Sequence, residues 1–288
     1  MSPSALTARH AVASSSARCS ASTQTLKNRF IASRRARDSR RASSTSASAS
    51  ESAQLLRGRT VASKLADTSV FLIGIMGSGK STVGASLAKA LGYSHLDTDE
   101  LIKSVTKKTP SELFAEAGES EFRAIESMIL AEVAAYKRCV ISTGGGIVCE
   151  KTNWMHLHNG VTVRLHGDSE LLARRVLADG IAKRPLLSGD ASTEEQPTIE
   201  SIVAKINALL ETREKMYKQA DITVPLGARE GDDGAPVDVV VDRLLTALEE
   251  RVDADAVQNK LRNEPQEGDI TVTDPRGELG PKPERPGP

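Results

Sequence analysis

Gly74-Ile75-Met76-Gly77-Ser78-Gly79-Lys80-Ser81 matches the spacing G-x-x-x-x-G-K-[ST] at every position. Glycines so spaced keep Cβ atoms away, and backbone N–H groups can close around phosphate oxygens. Lys80 brings a point charge to the β- and γ-phosphates of a nucleotide, and the Ser81 hydroxyl is set to reach a bound Mg²⁺. The flanks suit the motif. Ser69-Val70-Phe71-Leu72-Ile73 ahead of it is an apolar run of strand length; after it Val83, Leu87 and Leu91 recur every four residues, as on one helix face. Strand, Gly-rich turn and helix in that order set the helix N-terminus, with its N–H groups and dipole, against the anion. The loop leaves open what receives the phosphate.

Composition limits the folded part. Residues 1–60 are crowded with Ser, Ala and Arg and hold no acid before Asp38. No run of 18 or more apolar residues exists to span a membrane. An acid-poor, Ser- and Arg-rich leader without an apolar core has the composition of an organelle transit peptide, handled by import machinery; the other reading is a disordered basic tail for nucleic acid or anionic lipid. The segment 253–288 carries six prolines, many charges and few large apolar residues, and is expected to be disordered. The balance of 38 Lys and Arg against 38 Asp and Glu averages a basic leader with a more acidic remainder, so it says little about partners. Residues 66–250 are left as one domain. Cys19, Cys139 and Cys149 show no paired spacing, and His156 and His158, two apart, would point to different faces of a helix, so neither set suggests a disulfide framework or zinc site.

Within that domain strands alternate with helices. Tyr93 to Leu96 is a short strand ending in Asp97-Thr98-Asp99, and Glu100 to Lys107 reads as helix. Thr109-Pro110-Ser111-Glu112 is a capping box with proline at the first helical position, Gly118 ends that helix, and Phe122, Ile125, Ile129 and Val133 mark the apolar face of the next. Cys139 to Ser142 is a strand running into Gly144-Gly145-Gly146; Val161 to Leu165 is another, with Asp168 as N-cap to the helix after it. A polar stretch, 180–197, precedes a long amphipathic helix through Ile199, Ile202, Ile206 and Leu209; Asp221 to Val224 is the last strand and Val237 to Arg251 the last helix. Five strands with helical crossovers imply an α/β fold, a parallel sheet covered on both faces. Ligands of such sheets sit at the carboxyl ends of the strands, where the phosphate loop, the two aspartates and the triple glycine all fall.

A phosphoryl-transfer site needs a metal near the phosphates, a positioned hydroxyl and cations to meet the developing charge. If extended geometry persists through Asp97-Thr98-Asp99, both carboxylates face the cleft and Thr98 points away. One acid can then serve Mg²⁺ and the other an acceptor hydroxyl, the alternative being a helix N-cap with a spare acid. Arg123 and Arg213 taken singly read as surface ion pairs. The triple glycine is more specific, because its use is to admit a ligand close to main-chain N–H groups. Arg164, mid-strand in a sheet buried on both faces, must reach an edge or pair with a carboxylate.

Taken in order over 69–225, the phosphate loop, Asp97-Thr98-Asp99, Phe122-Arg123, Ser142-Thr143-Gly144-Gly145-Gly146, Arg184-Pro185-Leu186-Leu187, and Arg213 with Tyr217 resemble the shikimate kinase family. Trp154 is similar to its plant and algal members, which are plastid-targeted. The resemblance implies a P-loop kinase fold, three-layer α/β/α around a central five-stranded parallel sheet, with a mobile lid over 180–197. It implies an ATP-dependent phosphorylation of the 3-hydroxyl of shikimate in aromatic amino-acid biosynthesis, in the chloroplast stroma or, as the alternative, the mitochondrion. Gly77, Ser78, Gly79, Lys80, Ser81 and Thr82 would hold ATP, and Ser81 with Asp97 would hold Mg²⁺. Asp99 would take the proton of the substrate hydroxyl; Arg123 and Arg213 would grip its carboxylate, and Gly144, Gly145 and Gly146 would meet it through the backbone. Lys80 and Arg184, the latter from the lid, would complete the catalytic set, while Arg175 and Arg229 are candidates for nucleotide contact.

Two other readings compete. A related small-molecule kinase, for gluconate or adenylate, would share the loop but not the arginine pair, the triple glycine or Arg-Pro-Leu-Leu. A non-catalytic plastid paralogue that binds nucleotide would be expected to lose substrate groups, yet Asp99, Arg123 and Arg213 are all present. Nucleic-acid binding lacks aromatic interleaving or a folded basic face.

Overall fold

β1 (Val70–Ile73) is the central strand, between β3 (Cys139–Ser142) and β4 (Val161–His166), and every one of its side chains is buried beneath helices on the two faces of the sheet. The computed structural model describes residues 49–180, 198–227 and 234–263. In it β2 (Ser94–Asp97) pairs outside β3 and β5 (Ile222–Pro225) outside β4, so the order is β2-β3-β1-β4-β5 and every pairing is parallel. The five-stranded parallel sheet expected from the alternation of elements is therefore present. Its strand order turns outward in both directions from β1, and the phosphate loop leaves the carboxyl end of that central strand.

The helices among the described residues are α1 (Ala49–Lys64), α2 (Lys80–Leu91), α3 (Thr98–Thr106), α4 (Pro110–Ala134), α5 (Asn153–Leu157), α6 (Ser169–Asp179), α7 (Ile199–Tyr217) and α8 (Val237–Asn263). None is long and apolar enough to cross a membrane. Strand side chains alternate between two cores. Val70, Leu72, Val140 and Val163 meet α2, α6, α7 and α8 through residues such as Leu87, Leu172, Ile206 and Leu244. Phe71, Ile73 and Ile141 meet α4, α5 and the end of α7 through Leu130, Trp154 and Tyr217. Arg164 falls on this second face.

The α4 N-terminus forms as its sequence dictates. Thr109 Oγ1 accepts from Glu112 N at 3.2 Å and Glu112 Oε2 accepts from Thr109 N at 2.7 Å, both halves of the capping box. At Gly118 the helix breaks (φ 81, ψ 172), and the chain restarts in a new direction that aims Phe122 and Arg123 inward.

Two boundaries differ from expectation. Helix α1 begins at Ala49, inside the stretch assigned to the leader. Its buried stripe is Gly58, Val61 and, just past its end, Leu65, which the glycine and the Ser/Arg-rich flanks conceal from a search for apolar periodicity. The helix sits on α2 and α8: Lys89 pairs with Glu51 at 2.7 Å, Lys64 with Glu249 at 3.0 Å, and Gln54 bonds Asp242 Oδ1 at 2.8 Å. At the other end, α8 runs to Asn263, past the expected stop at Arg251. Ala, Gln, Lys, Leu and Arg in that extension are helix formers, and the side chains of 253–258 are exposed, so no buried stripe there marks the helix. The contacts divide the chain into Met1–Val252, which carries the sheet, and Asp253–Pro288, of which the described part is helical.

The contact between α1 and α2 is close at Gly58, where an added Cβ would stand 2.3 Å from the carbonyl oxygen of Ala90. Gly58→Val should therefore push the two helices apart and cost about 1–3 kcal/mol. Thermal denaturation checks this. An unchanged melting temperature would show that α1 is not seated on α2.

Candidate active site

The phosphate loop and α2 meet where Gly79 adopts the left-handed conformation (φ 75, ψ 20) that caps the helix and turns the following N–H groups toward the loop's hollow. Lys80 Nζ donates to the carbonyl oxygens of Gly74 at 2.7 Å and Ile75 at 3.1 Å, and to Ser78 Oγ at 3.2 Å, so the cation lies inside the turn. Ser78 is fully buried and donates to Ile75 O at 2.7 Å, which makes it a brace of the loop. Ser142 Oγ, at the end of β3, donates to Lys80 O at 2.8 Å and ties the start of α2 to the sheet.

Asp97 holds two positions at once. Its Oδ2 accepts from Ser81 Oγ at 2.5 Å, and its Oδ1 accepts from the backbone N–H of Asp99 at 3.0 Å and Glu100 at 3.4 Å as the N-cap of α3. The capping reading of this acid is thus correct, and its second oxygen meets the phosphate-loop serine. Extended geometry does not persist, because α3 begins at Thr98. Thr98, expected to point away, is fully buried, and its Oγ1 accepts from Gly144 N at 3.0 Å. Asp99 is exposed in the first turn of α3, and its Oδ1 would lie 3.3 Å from a Cβ built on Gly144. Asp97 reaches that end of the sheet as the last residue of β2, and Asp99 from the first turn of α3.

Arg123 and Arg213 are not surface residues: they are 8% and 6% exposed. Arg123 pairs with Glu126, with Glu119 at 3.1 Å, and stacks over Phe122 with its guanidinium carbon 5.5 Å from the ring centre. Burial works against its charge, but Glu126 and Glu119 outweigh it and hold the guanidinium's pKa up. Glu126 is 2% exposed; burial pushes its carboxyl up, Arg123 and Arg213 pull it down, and the Asp99 charge adds to the rise. Arg213 Nη1 donates to Gly145 O at 3.1 Å, and Tyr217 Oη donates to the same carbonyl at 2.8 Å. Burial pushes the Tyr217 hydroxyl up to about 12, so it stays a donor across the physiological range.

The triple glycine earns its composition from protein groups. A Cβ on Gly144 would stand 2.3 Å from Glu126 Oε1, and one on Gly146 would stand 2.1 Å from Arg123 Nη1. With the Gly144 amide committed to Thr98, the backbone donors left for a ligand in this run are those of Gly145 and Gly146. Asp99, Arg123, Glu126, Gly144–Gly146 and Arg213 therefore form one cluster beside the phosphate loop; a Cβ on Gly145 would lie 3.5 Å from Met76 N.

Residues 76–249 match the family model for shikimate kinase. The chain belongs to the shikimate kinase family. It is 44% identical over 166 residues to a shikimate kinase of Nostoc sp., an alignment covering 58% of this chain and 85% of that one. Among solved structures it is similar to a shikimate kinase from Bacteroides thetaiotaomicron (34% identity, TM-score 0.54, covering 63% of this chain and 98% of the other). It is also similar to the Acinetobacter baumannii shikimate kinase in complex with shikimate (28% identity, TM-score 0.51, covering 71% and 98%).

Within this shikimate kinase site, sequence reasoning missed Glu126 and gave Tyr217 no role of its own. Glu126 is three residues after Arg123 on a helix, the spacing of an intrahelical ion pair, and that was the available signal. Arg184 and Arg229, and nearly all of the expected lid, lie outside the described residues. Arg175 lies beside the phosphate loop: its Nη1 would lie 3.9 Å from a Cβ on Gly79 and its Nη2 2.4 Å from one on Gly234. Burial lowers the pKa of its guanidinium. Trp154 is buried, with Nε1 donating to Val148 O at 3.1 Å, and serves the core. Arg164 pairs with Glu214, one of the two outcomes expected for it.

Proposed function

We propose that this chain transfers the γ-phosphoryl group of ATP to the 3-hydroxyl of shikimate, giving shikimate 3-phosphate and ADP. The observation that carries the reading is the cluster beside the phosphate loop: one exposed carboxylate, Asp99, and two buried arginines, Arg123 and Arg213, around a triple glycine. A ring bearing one carboxylate and several hydroxyls needs such a set, since guanidinium meets a planar carboxylate with two parallel hydrogen bonds.

Asp99 accepts the proton from the attacking hydroxyl as its oxygen bonds to phosphorus and the bond from phosphorus to the ADP oxygen breaks. Gly77, Ser78, Gly79, Lys80, Ser81 and Thr82 cradle the ATP phosphates, Lys80 meeting the β- and γ-groups from inside the turn. Arg123, Arg213 and the amides of Gly145 and Gly146 orient the acceptor. The Ser81 hydroxyl and Asp97 carboxylate, 2.5 Å apart, are the hard oxygen donors that Mg²⁺ takes alongside phosphate oxygens, so they fit as its protein ligands. When bound, that ion neutralises phosphate charge. The family resemblance assigns Arg184 to the ATP phosphates as a further cation. The leader directs the protein to the plastid stroma through the organelle import machinery; the basic, Ser-rich composition and the plastid members of the family support this, with the mitochondrion as alternative.

A coupled ADP-release assay on the chain from Ala49 onward tests the reaction. ADP release should depend on shikimate and Mg²⁺; equal release with and without shikimate would sink the reading and favour the nucleotide-binding paralogue.

A further inference from the structure

We propose that Arg164 is a positioning residue for the acceptor, setting α7 so that Arg213 and Tyr217 close on Gly145; this rests on the shikimate kinase reading above. Arg164 sits on β4 opposite Ile73, the last residue before the phosphate loop, and is 5% exposed. Its guanidinium forks onto Glu214, with Nη1 to Oε1 at 3.1 Å and Nη2 to Oε2 at 2.7 Å. The same group lies 5.2 Å from the Tyr217 ring centre, and Nη2 is 3.2 Å from His166 Nδ1.

These contacts bracket the substrate arm of the site. Glu214 follows Arg213 directly and stands three residues before Tyr217 on α7. A bidentate bond to Glu214 and a stack on Tyr217 fix the helix both along and about its axis. That setting brings Arg213 Nη1 and Tyr217 Oη onto one carbonyl, the Gly145 oxygen, at 3.1 and 2.8 Å. One Arg213 nitrogen is thereby anchored to the backbone of the triple glycine. Arg164, His166 and Tyr217 line one crevice with Ile75 of the phosphate loop, so the brace links the two halves of the site. An apolar residue would fill a strand position at lower desolvation cost, which argues that the charge serves geometry.

The test is steady-state kinetics on Arg164→Met, Arg164→Lys, Glu214→Gln and the Arg164→Met/Glu214→Gln double variant. Arg164→Met should raise the KM for shikimate about tenfold, as expected for one misaligned charged hydrogen bond, while the KM for ATP stays within about twofold. Glu214→Gln should move the same constant in the same direction, and the double variant should be no worse than the larger single effect, because both act through one contact. Arg164→Lys, a point charge without the fork, should recover part of the affinity. A merely structural role would lower the melting temperature without moving the shikimate KM. A shikimate KM within about twofold of the unsubstituted value in folded Arg164→Met overturns the proposal. Should that variant fail to fold, the same result in Glu214→Gln, whose side chain is 37% exposed, overturns it equally. Loss of shikimate-dependent ADP release in the unsubstituted protein would instead overturn the functional reading itself, and this proposal with it.

Discussion

Asp99→Asn should lower kcat by about 10²- to 10⁴-fold while leaving the KM for ATP within about twofold. Asparagine keeps the shape and one acceptor oxygen of the aspartate but cannot take the hydroxyl's proton. Asp99 is exposed in the first turn of α3, and its contact with the Asp97 cap is made by its backbone N–H, not its side chain. Asp97 keeps its bond to Ser81, so the nucleotide side of the site stands. One secondary change has a definite sign: the Asp99 charge helps raise the Glu126 carboxyl, so its removal lets Glu126 fall and strengthens the pair with Arg123. Folding should therefore be preserved, and the loss should be of turnover. Single-turnover and steady-state rates, with the melting temperature, check all three parts. A kcat within about threefold of the unsubstituted enzyme would remove Asp99 from proton transfer.

The sheet and the phosphate loop were legible because their signals are local. Apolar runs of strand length, the G-x-x-x-x-G-K-S spacing and the Thr109–Glu112 capping box each state their geometry within a few residues. Helix α1 was not legible, since its buried stripe is short and part of its seat is nearly two hundred residues away: Gln54 meets Asp242 and Lys64 meets Glu249. The site divides along the same line. Lys80, Ser81 and Asp97 follow from motif and strand end. The burial of Arg123 and Arg213 does not, because each looks like an ordinary helix-surface cation until Gly118 redirects α4 and the triple glycine makes room. Thr98 shows the limit of extending local geometry by two residues. Strand alternation sends it away from the site, whereas helix initiation at that residue buries it under Gly144.

Arg123→Met should raise the KM for shikimate about a hundredfold, the loss of a charged bidentate contact, and should also make stability fall more steeply with pH. The second effect comes from Glu126. In the unsubstituted protein, burial pushes its carboxyl up and Arg123 opposes that rise through charge and hydrogen bonding. Without the guanidinium only Arg213 pulls it down, so the folded-state pKa climbs further above the unfolded value of about 4.3. A carboxyl with a raised folded pKa contributes stability below its unfolded pKa and loses it as pH rises through the folded one. Leaving a buried charge without its partner costs about 3–5 kcal/mol, and protonation relieves that cost. The variant should thus be nearly as stable as the parent near pH 4 to 5 and fall progressively behind it toward pH 8, roughly the window above the unfolded carboxyl pKa. Melting temperatures of both proteins across that range give the difference directly. Parallel curves would mean that Arg123 does not oppose the rise of the Glu126 carboxyl. An unchanged shikimate KM would take Arg123 out of the carboxylate grip whatever the curves show. Glu126→Gln separates the two roles. It keeps a neutral group of the same shape against Gly144 and removes the titration, so its stability should follow pH less steeply than that of Arg123→Met, while Arg123, held then by Glu119 alone, should bind shikimate with only partial loss.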